Sequence, residues 1–336
     1  MMEKRCRTNE EERESHERAL LECAELILPW LHPTKLASIS STCKTLNHVS
    51  KSITARRSSD ASRAFENLPI PFVNTVDDQP YAHFIYTPTQ TLAVDPSSRV
   101  RQHWGSSHRV RPVFCSDLPD PFPWVEDACG CDCESCAEDL ECPCSTLNSS
   151  ELARECGTSC RCGLDCGNRL TQRGVSVRLK IVKDRRKGWG LQADQLIRRG
   201  QFVCEYAGEL LMTKEARRRQ QIYDELASGG RFSSALLVVR EHLPSGKACM
   251  RLNIDATRIG NVARFINHSC DGGNLSTMLV RSSGALLPRL CFFASRDIQQ
   301  GEELAFSYGD IRLRSKGLLC YCGSSSCFGV LPSEHT

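Results

Sequence analysis

The sequence lacks the features of a membrane or secreted protein. No uninterrupted apolar run is long enough to span a bilayer. The first residues, MMEKRCRTNEEERESHERALL, are charged throughout and contain no apolar signal-peptide core. We therefore expect neither a membrane-spanning segment nor a secretory signal. No internal repeat is visible, and 336 residues are enough for two or three small domains.

Cysteine, by contrast, is abundant, with 21 residues. In a secreted chain such a count would indicate disulfides, whereas without a signal peptide metal ligands are the better interpretation. Ten cysteines fall between Cys129 and Cys166, and three fall between Cys320 and Cys327. The first of these windows has no histidine and little apolar material, so metal must replace a hydrophobic core there.

The first window predicts an all-thiolate zinc cluster. Nine thiolates can serve three tetrahedral zinc ions only if three of the sulfurs each bridge two metals. A disulfide-rich knot is disfavoured because cysteines two residues apart can barely bridge each other. A two-zinc RING-like module would normally show Cys-x-x-Cys pairs and a histidine. With Cys129 as the spare, the expected ligands are Cys131, Cys133, Cys136, Cys142, Cys144, Cys156, Cys160, Cys162 and Cys166.

The second window, CYCGSSSC, supplies Cys320, Cys322 and Cys327, one ligand short of a closed structural zinc site. We expect the fourth ligand to be Cys270, at the end of the stretch RFINHSC (264–270). Counting zinc-bound thiolates moves the formal charge from +3 to about −2. The composition therefore gives no argument for direct DNA binding.

Composition also divides the chain into intervals. Residues 1–64 are charged with apolar positions near helical spacing, and residues 65–128 are rich in proline, which predicts an irregular, extended linker. The cysteine module occupies 129–171, short β-like runs broken by glycine occupy 172–309, and the cysteine tail occupies 316–332. One helix is predicted among the β-like runs, TKEARRRQQIYDELAS (213–228).

Four further motifs follow the cysteine module in order: KGWGL, EYAGEL, RFINHSC and GEELAFSYG. Together with the two cysteine clusters, they make the chain resemble the suppressor-of-variegation class of histone lysine methyltransferases, most closely a short plant member of the related branch. The resemblance covers roughly Cys129 to Gly329. It implies a mainly β SET fold of small curved sheets with a threaded pseudoknot. It also implies a trinuclear pre-SET zinc module, a SET catalytic domain and a single-zinc post-SET tail.

The resemblance implies methyl transfer from S-adenosylmethionine to a lysine of histone H3, lysine 9 by class, on chromatin in the nucleus and in chromatin silencing. The enzyme must hold the two reacting centres in line and deliver a neutral amine. A free lysine, with a pKa of about 10.4, is neutral in only about one molecule in a thousand at pH 7.4. A desolvated channel and a nearby sulfonium charge both favour loss of the proton.

Motif matching assigns expected roles to individual residues. Tyr308 matches the catalytic tyrosine, Tyr206 a channel tyrosine, and Phe306 a position where phenylalanine leaves room for di- or trimethylation. The residues expected to hold S-adenosylmethionine are Lys187, Gly188, Trp189, Gly190, Arg264, Asn267, His268 and Tyr308.

Departures from the family pattern leave the substrate open. Ser307 stands where relatives have aspartate, and Gly272-Gly273 where a single proline is common. The segment RFSSALLVVREHLPSG (231–246) lacks the aromatic and acidic residues usual in the peptide groove. A histone H3 tail or nucleosome is the expected substrate, and a non-histone protein is the alternative.

The stretch ILPWLHPTKLASISSTCKTLNHVSKS (27–52) resembles an F-box, the helical module that docks on ubiquitin-ligase adaptors. This resemblance predicts a Skp-type adaptor as a candidate partner through residues 20–55. The alternative interpretation is a helical cap that packs against the SET domain. A third hypothesis for the whole chain is a non-catalytic SET module that works as an F-box-like adaptor.

Overall fold

The structure, a computed structural model, describes residues 15–16, 18–95, 98–101, 128–136, 142–144, 152–228, 232–242, 249–309 and 318–332. Within these ranges, no helix combines the length and the apolar character needed to cross a bilayer.

The N-terminal part of the described chain is helical, as the apolar spacing predicted. Residues 18–27 form a helix that runs into a 3₁₀ turn, Leu28–Trp30. Helix α1 (Pro33–Ser40) begins with proline at its first position, where no backbone N–H is needed. Helix α2 (Lys44–Ser59) begins after Cys43, whose sulfur accepts a hydrogen bond from the Leu46 amide.

These helices share a small core and are joined to the next segment by Arg57. The core consists of Ala24, Leu28, Leu36, Val49 and Ile53. The buried guanidinium of Arg57 donates to the Leu31 carbonyl at 2.9 Å and to the Tyr81 hydroxyl at 2.7 Å. The helical segment is therefore attached to the chain that follows it.

The interval 65–128 is more regular than its prolines predicted. Its described part contains β1 (Phe72–Val73), β2 (Ile85–Tyr86), β3 (Thr91–Asp95) and β4 (Ser98–Arg101). Three of these strands pair with the region expected to be catalytic, β1 with β6 (Leu179–Asp184), β2 with β11 (Cys249–Gly260) and β3 with β9 (Gly208–Leu211). Irregular backbone separates these short strands, and sheet partners far along the chain, rather than local propensity, fix the conformation of the strands themselves.

The remaining chain is mainly β, as expected. Its other strands are β5 (Leu152–Glu155), β7 (Gly188–Ala193), β8 (Phe202–Glu205), β10 (Leu236–His242), β12 (Asn267–His268), β13 (Leu275–Ser282), β14 (Arg289–Ala294) and β15 (Ala305–Phe306). The strands form small sheets in the orders β1-β6-β7, β10-β11-β9-β3-β4 with β2 beside β11, β5-β13-β14-β8, and β12-β15.

Two features of this region position the site. Helix α3 spans Thr213–Ser228, which confirms the helix predicted between the β-like runs. Strands β12 and β15 pair in parallel, with Asn267 opposite Ala305 and His268 opposite Phe306. The motifs RFINHSC and GEELAFSYG therefore lie side by side, next to a core that includes Phe265, Ile266 and Leu304.

Candidate functional site

The cysteine module brings its thiols together around three central sulfurs. The Sγ atoms of Cys131, Cys136 and Cys156 lie 3.7, 3.7 and 3.8 Å from one another. A tetrahedral zinc site with metal–sulfur bonds of about 2.3 Å has sulfur–sulfur edges of about 3.8 Å. The spacing of these buried sulfurs therefore fits shared zinc ligands.

The other sulfurs surround this central triangle. Four-sulfur groups with all atoms within 4.8 Å of one another combine members of the triangle with Cys144 and Cys160, with Cys133 and Cys142, or with Cys162. The Cys166 thiol points to the Cys136 carbonyl at 3.9 Å. No disulfide joins the cysteines in the described part of the chain. These thiol clusters could bind zinc, and Cys166 is the one expected ligand that belongs to none of the four-sulfur groups.

The tail thiols also converge. The sulfurs of Cys270, Cys320, Cys322 and Cys327 all lie within 4.8 Å of one another, which fits one tetrahedral zinc ion. Cys270 lies 3.8 Å from Cys320, sulfur to sulfur. The structure thus places the tail against the end of RFINHSC, where we expected the fourth ligand.

Three of the residues expected to hold the cofactor meet at a carboxylate that the sequence did not single out. The Lys187 ammonium lies 2.5 Å from Glu303 Oε2, and the Asn267 amide donates to Glu303 Oε1 at 2.8 Å. A Cβ atom at Gly190 would lie 2.9 Å from Glu303 Oε1 and 3.0 Å from Asn267 Nδ2, so a larger residue there would displace the ends of these two side chains. Glu303 therefore joins the first cofactor motif to RFINHSC.

Arg264 and Trp189, two further residues expected to hold the cofactor, contact other parts of the fold. Arg264 donates to the Thr257 carbonyl at 3.1 Å, while its Nε and Nη1 are buried without a partner. Burial lowers the pKa of Arg264 to about 10, so the guanidinium stays charged at neutral pH. A buried cation with unpartnered donors fits the carboxylate of an amino-acid cofactor such as S-adenosylmethionine. The Trp189 ring packs edge-to-face on Phe72 at 5.3 Å.

The aromatic residues expected to line the lysine channel form a continuous group. Ring centroids are separated by 5.0 Å between Tyr308 and Phe306, 4.8 Å between Phe306 and Phe292, and 6.3 Å between Phe292 and Tyr206. Phe292 was not predicted. Its only sequence signal was the apolar run LCFFAS.

Both tyrosine hydroxyls donate a hydrogen bond to a backbone carbonyl. Tyr308 donates to the Ile266 carbonyl at 2.8 Å, and Tyr206 donates to the Ala235 carbonyl at 2.8 Å. Burial raises the pKa of each phenol well above its ordinary value. The tyrosines therefore remain protonated at neutral pH, with oxygen lone pairs left to accept hydrogen bonds.

His268 connects the channel to the tail thiols. Its Nδ1 accepts a hydrogen bond from the Tyr308 backbone amide at 3.2 Å, and its Nε2 lies 3.3 Å from Cys270 Sγ. Its ring centroid is 5.2 Å from that of Tyr308. His268 thus lies where a cofactor site, the aromatic channel and the tail would meet.

Comparison with known proteins agrees with this arrangement. The SET domain family matches residues 188–309. Histone-lysine N-methyltransferase SUVR3 of Arabidopsis thaliana is 60% identical over 327 residues, which cover 94% of this chain and 92% of the relative. The methyltransferase domain of human histone-lysine N-methyltransferase SETMAR superposes with a TM-score of 0.61 at 29% identity, covering 82% of this chain and 97% of that one. KRYPTONITE, solved in complex with mCHH DNA, H3(1-15) peptide and SAH, superposes with a TM-score of 0.58 at 26% identity, covering 81% of this chain and 53% of that one.

The fold and the site define a SET-domain methyltransferase. The chain belongs to the histone-lysine N-methyltransferases of the suppressor-of-variegation class, and the resemblance seen in its motifs is confirmed.

Proposed function

We propose that this protein transfers methyl groups from S-adenosylmethionine to lysine 9 of histone H3, on chromatin in the nucleus, and so acts in chromatin silencing. The observation that carries the proposal is the aromatic channel from Tyr206 to Tyr308, considered together with the cluster of Lys187, Glu303 and Asn267. The solved relative KRYPTONITE holds an H3(1-15) peptide and SAH.

The cofactor, when bound, supplies a methyl group on a positively charged sulfur. Lys187, Asn267 and Arg264 are the residues that would hold its polar parts. The substrate amine would enter between Tyr206 and Tyr308, whose oxygens can accept its N–H groups because their own protons are committed elsewhere. Hydrogen bonds accepted by the two oxygens orient the nitrogen lone pair along the line of transfer.

Removal of the substrate proton needs no strong base in this site. The pKa values of Tyr206 and Tyr308 are raised by burial, so neither residue is a phenolate at neutral pH. A dry aromatic channel disfavours the ammonium form of a lysine, and the positive sulfur disfavours it further. The channel therefore favours the neutral amine, whose proton is released to bulk water before the amine is enclosed.

The product expected from the channel is di- or trimethyl-lysine. Phe306 is buried between Phe292 and Tyr308, and its ring carries no hydroxyl to occupy the space of an added methyl group. The metals we propose are three zinc ions in the cysteine module and one in the tail. They would act as structural ions, because all their expected ligands are thiolates and no position is left open.

The experiment is transfer of labelled methyl from S-adenosylmethionine to recombinant histone H3 and to nucleosomes, with zinc-loaded protein. Tyr308→Phe should lower the rate about a hundredfold or more while the protein still binds cofactor. Tyr321→Phe, at an exposed tail tyrosine, is the matched control and should keep the parent rate. No label on histone H3 or nucleosomes would contradict the proposal, and label on non-histone proteins of a nuclear extract tested alongside would favour the alternative substrate.

A second candidate function is docking of a Skp-type adaptor on the N-terminal helices. The observation that favours it is the exposure of Leu26 (73%), Ile27 (59%) and Trp30 (57%) beside the small helical core. Binding of the full chain to a purified Skp-type adaptor, measured by calorimetry, tests it. Trp30→Ala should abolish the binding, whereas Lys51→Ala, an exposed polar change on α2, should not. No binding by the parent chain would contradict this function.

A further inference from the structure

Arg289 is a buried cation that lies between two carboxylates from distant parts of the chain. Its side chain is 1% exposed. Nη2 donates to Glu155 Oε2 at 2.9 Å and to the Thr171 hydroxyl at 2.6 Å. Nη1 donates to Glu205 Oε2 at 3.3 Å. The planar guanidinium thus bridges β5 and β8, which lie at opposite edges of one sheet.

On one side, this bridge reaches the cysteine module. Glu155 immediately precedes Cys156, one of the three central sulfurs. The Gln172 amide donates to Glu155 at 2.9 Å and to the Cys156 carbonyl at 2.8 Å. Arg169 adds bonds to the carbonyls of Gly157 at 2.7 Å and Cys162 at 3.1 Å. The position of Glu155 is therefore linked to the thiols that would hold the metal.

On the other side, the bridge reaches the lysine channel. Glu205 immediately precedes Tyr206, and the Tyr206 amide donates to the carbonyl of Leu290, the neighbour of Arg289, at 2.8 Å. The Glu205 carbonyl accepts from the Asn261 side chain at 2.6 Å. The backbone that carries Tyr206 is therefore fixed by contacts to Arg289 and its neighbour.

We propose that Arg289 is a positioning residue that couples the metal-bound cysteine module to Tyr206, so that the state of the module sets the geometry of the lysine channel. The inference rests on the proposed function for the identity of the channel. Arg289 belongs neither to the aromatic group nor to the cluster at Glu303, so its effect on the channel passes through Glu205. The Arg289 guanidinium and the carboxylates of Glu155 and Glu205 are all buried, so water does not compete for their hydrogen bonds. A displacement of Glu155 is therefore transmitted through Arg289 to Glu205.

Coupling between two sites is reciprocal, and this provides the test. The zinc-loaded full chain is exposed to a chelator and to N-ethylmaleimide, with and without saturating S-adenosylhomocysteine and a histone H3 tail peptide, whose lysine would enter the channel beside Tyr206. Mass spectrometry follows alkylation of peptides from 129–166 separately from those of 320–327, which distinguishes the module from the tail. In the parent chain we expect the bound ligand to slow alkylation of module cysteines by about fivefold or more.

Arg289→Lys keeps the charge but cannot span both carboxylates, so it should reduce this protection to less than about twofold. Arg281→Lys is the matched control. It alters an ion pair with the buried Glu241, 2.7 Å long, on the neighbouring strand β13, and should keep the protection of the parent. Glu205→Gln preserves the size of the side chain and removes only the charge facing Arg289, and it should also lose the protection. This variant replaces Arg289→Lys in the test if Arg289→Lys does not fold.

Two outcomes would overturn the inference: no ligand protection of the module in the parent chain, or equal protection in the parent, Arg289→Lys and Glu205→Gln. Methyl transfer is measured on the same samples. A parent chain that shows Arg289-dependent protection but methylates no protein would contradict the proposed function and leave the coupling standing. A chain that methylates histone H3 without such protection would contradict the coupling alone.

Discussion

The Lys187 ammonium and the Glu303 carboxylate lie 2.5 Å apart and join two motifs separated by 116 residues in the sequence. The same carboxylate accepts a hydrogen bond from Asn267. Polar groups from three segments of the chain thus converge at the point where the cofactor motifs meet. Glu303 holds its two partners in place before any cofactor arrives, which reduces the conformational freedom that binding must remove.

Removing the charge of Glu303 should therefore weaken cofactor binding. Glu303→Gln keeps an acceptor for Asn267 but loses the ion pair with Lys187. We expect the Kd for S-adenosylmethionine to rise about tenfold, or about 1.4 kcal/mol, by calorimetry. Glu302→Gln is the matched control, because the neighbouring Glu302 pairs with the exposed Arg296 instead. A Kd for Glu303→Gln within about twofold of the parent would contradict the role given to this carboxylate.

The product state should depend on the space beside Phe306. Phe306→Tyr adds a hydroxyl to a ring whose centroid is 5.0 Å from Tyr308 and 4.8 Å from Phe292. We expect mass spectrometry of the product to shift from di- and trimethyl-lysine to monomethyl-lysine. Phe293→Tyr adds the same group to a ring that packs on Phe202, and should leave the product unchanged. Unchanged product states in Phe306→Tyr would contradict the prediction.

The sequence predicted those features that depend on the spacing of residues close together in the chain. Helix α3 has helical spacing along its whole length, and the spacing of the cysteines is by itself typical of metal binding. Strand β1 has only two residues, Phe72 and Val73, and exists because β6 offers a partner far along the chain, with Phe72 opposite Ile181. Such a strand has no periodicity to detect.

The residues that the sequence did not predict, Glu303 and Arg289, contact groups from distant segments of the chain. Glu303 and Arg289 stand within ordinary charged or β-like runs, and nothing in their neighbours shows that they will lie between groups from distant segments. Their roles depend on contacts over 116 and 134 residues of sequence separation. Cys270 was expected to join the tail only because three thiols there required a fourth.

Removal of the Cys131 sulfur should release more zinc than removal of the Cys129 sulfur. Cys131 belongs to each of the three thiol groups in the cysteine module, whereas Cys129 is exposed and belongs to none of them. Cys131→Ser should therefore lose at least about two zinc ions per chain, because a shared ligand serves more than one metal. Cys129→Ser should keep the metal content of the parent. Metal analysis of the purified variants decides this, and equal zinc content in the two variants would contradict the shared-sulfur arrangement.

The contact between the N-terminal helices and the β-rich region should weaken in acid. Burial, together with the nearby charges of Arg57, His32, Arg63 and Arg264, lowers the pKa of His83 from its ordinary value of 6.5 to about 3. Its Nδ1 is buried without a hydrogen-bond partner. The folded chain therefore keeps His83 neutral at a pH where the unfolded chain protonates it.

The sign of the effect follows from this difference. Below pH 6.5 the unfolded state binds more protons at this group than the folded state, so stability falls as the pH drops towards 3. His83 is partly exposed, and solvent screening reduces the expected loss to about 1 kcal/mol at pH 5. Urea unfolding at pH 7 and pH 5 should show a smaller loss in His83→Gln than in the parent, while His48→Gln, at an exposed position on α2, behaves like the parent. Comparing variants at the same two pH values removes the contribution of all other groups, including the thiols. An equal loss of stability in His83→Gln and the parent would mean that His83 is protonated in the folded chain.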